Sequence, residues 1–194
     1  MTAVAPLKIG RFRVMWIASI FSNLGSFFYS VAASWLMLEM TGSATWVGLM
    51  QSSNTLPLLF LGLTAGALAD LADRAKVMLY SQLLMGIAAT AMAVLTMLDM
   101  MTPPLLLGLG LVIGVGVAFN LPAWQAIVPN LVPRGMLASA VALNSAGFNV
   151  ARAVGPALAG LVFATFGAAV AFGVNAASFL GVIAAVSLVA RRLD

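Results

Sequence analysis

The sequence contains no cysteine and no histidine, and only 7% of its 194 residues are charged. The absence of cysteine and histidine excludes disulfide frameworks, Cys/His zinc sites, haem ligation by histidine and hydrolytic triads with a histidine base. So few charges cannot cover a water-soluble domain of this length with solvated side chains. We therefore expect neither a soluble enzyme nor a resident metal or cofactor.

The sequence also lacks the phosphate-binding pattern GxxxxGK[ST], so ATP is not indicated as an energy source. Glycine is frequent, with 18 residues, and its position within apolar runs favours close packing of helices. The net charge is +4, but the basic residues are spread between apolar runs and form no continuous patch. This spacing favours membrane topology over nucleic-acid binding, so nucleic acid is not expected as a partner.

Apolar residues dominate what is present: they make up 63% of the chain, and the mean hydropathy is +1.11. A helix needs about 20 apolar residues to cross the hydrocarbon core of a bilayer. One long run is interrupted by a single charge, Arg152, and Thr165 to Gly167 mark a turn within it. The pattern predicts an all-α membrane protein, with residues 1–194 forming one bundle of six transmembrane helices. The uncharged runs are 14–38, 40–69, 77–98, 100–133 and, apart from Arg152, 135–190.

The basic residues predict the orientation of the bundle, because Lys and Arg in short loops resist translocation and mark the cytoplasmic side. With six spans, both termini and every second connection face the same side. The opposite loops contain Glu39 and Asp99 and no Lys or Arg. We therefore expect both termini in the cytoplasm. The basic residues on that side are Lys8, Arg11, Arg13, Arg74, Lys76, Arg134, Arg191 and Arg192.

Arg152 is the ionisable residue that falls inside a predicted span, and such a residue is a functional candidate because burying its charge in lipid is unfavourable. The helical rise places it roughly 15 Å deep, near the bilayer midplane. Its partner is an anionic group of a solute, an acid on another segment, or water with backbone carbonyls. The alternative is a structural arginine that reaches toward the cytoplasm. Asn149, one turn away, is expected to line the same face.

Predicted span one carries several polar residues, among which Asn23 and Tyr29 are the strongest candidates for lining a wet cavity. The serines nearby favour a different interpretation, since hydroxyl groups also hold membrane helices together. For Asn23 and Tyr29 the cavity and packing interpretations are both open.

The connection between predicted spans two and three is the densest charged segment of the chain. Asp70 and Arg74 are four residues apart and can pair on one helical turn, and an aspartate just before a helix can accept hydrogen bonds from its free N–H groups. In one interpretation the segment is a cytoplasmic loop with a helix cap. In the other it is an ionic latch that breaks when neighbouring helices tilt.

Gly66, Leu68, Asp70 and Arg74 fill the pattern G-x-L-x-D-x-x-x-R in this connection. The pattern resembles the signature loop of the major facilitator superfamily. Asp73 completes a D-x-x-D-R version that resembles the exporter branch containing the enterobactin exporter and the transmembrane secretion effectors.

A second motif lies in predicted span five, where residues 149–160 resemble the Gly-Pro motif that this superfamily associates with export by antiport. Gly155, Pro156 and Gly160 carry it. The resemblance implies gating roles for these three residues and for Gly66, Asp70, Asp73 and Arg74. In span four the arginine that many proton-coupled members carry before Gly-x-Gly is missing, so the resemblance does not specify the coupling ion.

The resemblance covers nearly the whole chain, but it corresponds to the amino-terminal half of a twelve-helix fold. It implies two inverted three-helix repeats, residues 14–98 and 104–190. A weak internal similarity agrees with these repeats, since the spacing of Gly48 and Pro57 is the same as that of Gly147 and Pro156. The implied function is secondary active export of small organic solutes, such as drugs or siderophores, by alternating access across a bacterial inner membrane. The implied partners are the lipid bilayer, the solute and a second six-helix half on the same or another chain.

Two other functions stay open from the sequence. A channel or self-assembling pore would conduct without coupling, and the non-repeating motifs disfavour it. A membrane fragment or scaffold would bind partners through its helix faces without transporting, and the missing half keeps this possibility open. An enzyme is disfavoured, because no paired carboxylates or activated nucleophile occurs within the predicted spans.

Overall fold

The computed structural model describes residues 4–190, with the side chains of Asp70 and Ala190 left out. Within that range the chain is helical and contains no strand. Five helices are long and apolar enough to cross a membrane, which makes this a multi-pass membrane protein. They are α1 (Gly10–Thr41), α2 (Ala44–Leu71), α3 (Arg74–Met97), α4 (Pro103–Ile127) and α5 (Leu137–Ala190).

Local sequence signals set the helix boundaries. Gly42 ends α1 in the left-handed conformation, with φ of 61°, and its N–H donates to the carbonyl of Leu38. Asp73 begins α3 as the predicted cap, because its carboxylate accepts hydrogen bonds from the backbone N–H groups of Ala75 and Lys76. Pro103 begins α4 at a position where a helix has no need of an N–H donor.

The last helix, α5, has 54 residues and would be about 80 Å long if straight, far more than a bilayer core. It is interrupted at Gly167, whose φ of 80° and ψ of 176° lie in a region that residues with a Cβ avoid. The interruption falls within the turn that the sequence predicts at residues 165–167. We refer to residues 137–166 and 168–190 as the first and second segments of α5.

The helices pack through glycines that let backbones approach closely. A Cβ at Gly114 of α4 would lie 2.6 Å from the backbone oxygen of Ser53 in α2. Gly116 similarly faces Met85 of α3, and Gly25 of α1 faces Ser178 in the second segment of α5. Thus α4 packs against α2 and α3, while α1 packs against α5 and α3 also contacts α5.

The interior contains two apolar clusters at opposite ends of the bundle. One includes Met37, Met92 and Phe172, near the α1–α2 and α3–α4 connections and Gly167. The other includes Met15 and Val186, near the α2–α3 and α4–α5 connections. Along the helices, the residues that separate the members of one cluster from those of the other include most of the buried or half-buried Asn and Gln side chains described below. Many large apolar side chains on the outside are exposed, up to 90% for Leu63, as expected for a surface in lipid.

Candidate functional site

A polar cleft of about 450 Å³ opens between α1, α4 and the first segment of α5. It brings together Asn23 of α1 and Asn149 of α5, two residues that the sequence analysis selected independently. Asn23 is half-buried and Asn149 is exposed. The cleft therefore presents amide groups that can donate and accept hydrogen bonds. Its lining residues are Asn23, Leu121, Asn144, Ser145, Phe148 and Asn149.

Sequence reasoning missed Asn144 and Ser145, which share this cleft. The signal was present, because Ser145 and Asn149 are four residues apart and lie on one helix face. Asn144 is half-buried. Phe148 and Leu121 add apolar walls, and the cleft can hold a molecule with both hydrogen-bonding and apolar surface.

Arg152 follows Asn149 by three residues on α5 and therefore extends the same helix face by one turn. Its side chain is exposed, and within residues 4–190 it forms no ion pair or hydrogen bond. It does not line the cleft itself, whose lining on α5 reaches Asn149. An exposed guanidinium on this face is a ready partner for an anionic group.

Tyr29 lies in the core and not among the residues that line the cleft, since it is 4% exposed. Its hydroxyl donates a hydrogen bond of 2.7 Å to Oδ1 of Asn54 in α2. Its ring centroid lies 6.3 Å from that of Phe172 in the second segment of α5. The geometry corresponds to the packing interpretation of Tyr29, with Asn54 as a helix-to-helix partner that the sequence analysis did not identify.

The connection between α2 and α3 is tied to α4. Nη1 of Arg74 donates a hydrogen bond of 3.1 Å to the backbone carbonyl of Ala126, close to the end of α4. Lys76 Nζ lies 4.0 Å from Oδ2 of Asp73, an exposed pair that contributes little stability. The predicted partner of Arg74, the Asp70 side chain, lies outside the described residues. Gly66 is half-buried, and a Cβ there would meet nothing within 4 Å.

The Gly-Pro motif lies where α5 crosses α1. A Cβ at Gly155 would lie 2.7 Å from Cδ2 of Phe27, so this position accepts little more than a hydrogen atom. The helix continues through Pro156, which is exposed, and the backbone leaves the helical region later, at Gly167. A Cβ at Gly160 would meet nothing within 4 Å.

Comparison with known proteins identifies the family to which this chain belongs. A family model described as transmembrane secretion effector matches residues 1–193. The multidrug efflux pump Tap of Mycolicibacterium fortuitum is 30% identical over 186 residues, which are 93% of this chain and 46% of the pump.

Two further relatives are more distant. The staphyloferrin A transporter of Staphylococcus aureus is 27% identical over 77% of this chain and 38% of its own length. The macrolide efflux protein A of Streptococcus pyogenes is 24% identical over 80% of this chain and 38% of its own length. The chain thus spans less than half the length of these curated relatives. It belongs to the transmembrane secretion effector family, within the major facilitator superfamily.

Proposed function

We propose that this chain is the amino-terminal half of a secondary active exporter that moves small organic solutes, such as drugs or siderophores, by alternating access. The observation that carries the proposal is the cleft that joins Asn23 to Asn149 in a bundle of the transmembrane secretion effector family. The export is driven by an ion gradient. The protein lies in a bacterial plasma membrane with both termini in the cytoplasm, and a second six-helix half completes the solute path.

The packing pattern supports six spans in two inverted repeats, 14–98 and 104–190, with the two segments of α5 as spans five and six. An inverted repeat relates span one to span four, span two to span five and span three to span six. The contact of α1 with the first segment of α5 is then equivalent to the contact of α4 with α2. In the same way, the contact of α1 with the second segment of α5 is equivalent to the contact of α4 with α3. Both members of each pair occur, through Gly155, Gly25, Gly114 and Gly116.

Within this proposal the cleft binds the solute. Asn23, Asn149 and the neighbouring Ser145 supply hydrogen bonds, and Phe148 and Leu121 contact its apolar surface. Arg152, one turn beyond Asn149, attracts an anionic group of the solute or of the second half. Uneven placement of polar and apolar walls suits amphipathic organic molecules of varied shape.

The connection between α2 and α3 acts as the latch. Arg74 links the start of α3 to the end of α4, so outward-facing and inward-facing arrangements differ in whether this bond to Ala126 is made. Gly66, Asp70 and Asp73 shape the connection, with Asp73 fixing the first turn of α3. Gly155 lets α5 slide against Phe27 of α1, and Pro156 and Gly160 complete the gating motif on the same helix.

The proposal is tested by export from cells that produce the protein in the form found in its native membrane. That form is first identified by its size with an antibody against residues 1–13. Cells are loaded with a fluorescent drug, a macrolide or staphyloferrin A, and the rate of loss is measured with Asn149→Ala and with Val150→Ala. Val150 is the adjacent exposed apolar residue and does not line the cleft, which makes it the matched control.

We expect Asn149→Ala to slow export of at least one solute about tenfold, as for one lost hydrogen bond to a bound group, while Val150→Ala leaves it unchanged. No export by the unaltered protein, or equal effects of the two substitutions, would refute the cleft as the transport site.

A second candidate rests on the length comparison, since the chain corresponds to less than half of its relatives. In this alternative the chain is a half-transporter or scaffold that acts only when it associates with another bundle. Cross-linking in native membranes separates the two possibilities. A product near 20.0 kDa that cross-links to a second membrane protein or to itself favours the alternative, while a product about twice that size favours the single-chain exporter.

A further inference from the structure

A second, smaller cavity lies behind the cleft, inside the bundle. It has a volume of about 80 Å³ and is lined by residues of α1, α3, α4 and the second segment of α5. Six of its eight lining residues carry a polar group, which is unusual at the border of an apolar cluster to which Met78 and Val182 belong. The lining residues are Ser19, Ser22, Asn23, Met78, Gln82, Asn120, Trp124 and Val182.

The hydrogen bonding of this cavity is incomplete. Gln82 is 2% exposed, and its Nε2 donates a hydrogen bond of 3.1 Å to Oδ1 of Asn120. Its other amide atom, Oε1, is buried and accepts no hydrogen bond from any residue that the structure describes. A buried acceptor without a hydrogen bond destabilises the folded protein by about 1–3 kcal/mol. We therefore expect Oε1 of Gln82 to accept a hydrogen bond from a bound molecule.

The geometry of the cavity identifies the kind of donor. A water molecule occupies about 30 Å³ in the liquid, and a buried water needs two to four polar partners. A cavity of about 80 Å³ lined by amide, hydroxyl and indole groups meets both requirements for two or three water molecules. An apolar cavity of the same size would stay dry.

Asn23 lines this cavity and also the cleft, so one amide side chain forms part of both walls. Within residues 4–190 the Asn23 side chain makes no hydrogen bond, which leaves both ends of the amide available. A polar molecule in the cleft and a water molecule in the cavity can therefore bind the same side chain from opposite sides.

We propose that the cavity between Gln82 and Asn23 is an internal binding site for two or three water molecules, and that Asn23 joins this water to the cleft. The water donates to Oε1 of Gln82 and bridges it to Ser22 and Asn23. The site depends on the fold of this bundle and not on transport, so it can be tested without any solute.

The test is X-ray hydroxyl-radical labelling of the protein, in its native full-length form, in lipid nanodiscs without solute. Radicals form from water and oxidise methionine side chains next to it, which mass spectrometry quantifies for each residue. Met78 and Met92 each belong to an apolar cluster and are 1% and 0% exposed, but of the two only Met78 lines this cavity. Since both side chains are almost fully buried, a difference in their oxidation reports water in the cavity beside Met78.

We expect Met78 to be oxidised at least about fivefold faster than Met92, because only Met78 adjoins a polar cavity large enough for water. Gln82→Leu removes the unpaired acceptor and should bring the oxidation of Met78 close to that of Met92. Ser81→Ala is the matched control, because Ser81 is adjacent, 5% exposed and bonded to the carbonyl of Val77 outside the cavity. It should leave the oxidation of Met78 unchanged.

Equal, slow oxidation of Met78 and Met92 in the unaltered protein would overturn the proposal, and this comparison needs no variant to fold. Loss of the fold in Gln82→Leu would be visible as faster oxidation of Met92. A failed export assay with rapid oxidation of Met78 would refute the proposed function and leave the water site standing, so the two failures are distinguishable.

Discussion

The guanidinium of Arg74, at the first residue of α3, donates a hydrogen bond of 3.1 Å to the backbone carbonyl of Ala126 near the end of α4. Carbonyls in the last turn of a helix lack partners within the helix and carry partial negative charge. The arginine therefore joins the first proposed repeat to the second at the end of the bundle where the charged connection lies.

Arg74→Gln should weaken this link and open the proposed cytoplasmic latch. Because Arg74 is half-buried, we expect a loss of about 1 kcal/mol, or about a fivefold shift between the two arrangements. Residues 1–194 contain no cysteine, so Ser145→Cys introduces the one thiol of this half, in the cleft, and any cysteine elsewhere in the native protein is replaced by serine. Its rate of reaction with a membrane-impermeant maleimide in inside-out vesicles should rise with Arg74→Gln. Arg134→Gln, at an exposed arginine of the same predicted side, is the control, and equal rates in both variants would count against the latch.

Tyr29→Phe should destabilise the bundle while leaving the range of exported solutes unchanged, because Tyr29 binds Asn54 in the core and does not line the cleft. Loss of the hydroxyl leaves Oδ1 of Asn54 without its partner, and we expect a decrease of about 1–2 kcal/mol in the free energy of unfolding. Thermal unfolding in detergent measures it. A changed solute range with unchanged stability would restore the cavity interpretation of Tyr29.

Gly114→Ala and Gly108→Ala form a matched pair on α4. At both positions alanine is more favourable than glycine in a helix by roughly 1 kcal/mol. A Cβ at Gly114 would lie 2.6 Å from the backbone oxygen of Ser53, while one at Gly108 would meet nothing within 4 Å. We expect Gly108→Ala to be neutral or stabilising and Gly114→Ala to lower the free energy of unfolding by about 1–3 kcal/mol. Equal unfolding temperatures would show that α2 and α4 do not approach so closely in the membrane.

Arg152→Gln should slow the export of anionic solutes more than that of neutral solutes of similar size, because it removes the positive charge beside the cleft. Arg152→Lys keeps the charge and should retain most of the activity toward an anion held by charge alone. The measurement is the initial export rate for an anionic and a neutral probe in the same cells. Equal slowing of both probes by Arg152→Gln would indicate a structural role for this arginine.

Much of the helical framework could be predicted because the requirements for a membrane span are local. The uncharged run 14–38 lies within α1 (Gly10–Thr41), and the run 77–98 nearly coincides with α3 (Arg74–Met97). The Asp73 cap and the interruption at Gly167 also follow from local rules, which the structure confirms at those residues. The orientation in the membrane and the gating roles stay predictions.

The cleft was predictable only in part. Asn23 and Asn149 stood out because amides are rare in apolar runs, but the sequence did not show that they share one cleft or that Asn144 and Ser145 join them. Tyr29 looked equally polar and lies in the core. The cavity around Gln82 could not be predicted, because its lining residues come from four separate helical segments.

The sequence by itself determined that the chain is a helical membrane protein, since span length, charge placement and helix-ending residues act over a few neighbouring positions. Only the tertiary structure decided which helix faces meet and which face lipid. In a soluble protein, apolar periodicity would mark the inner face of a helix. Here lipid is as apolar as the interior, so Leu63 on the surface and Leu106 in the core look alike in the sequence. The contacts that distinguish them are set by the shapes of helices far apart in the chain.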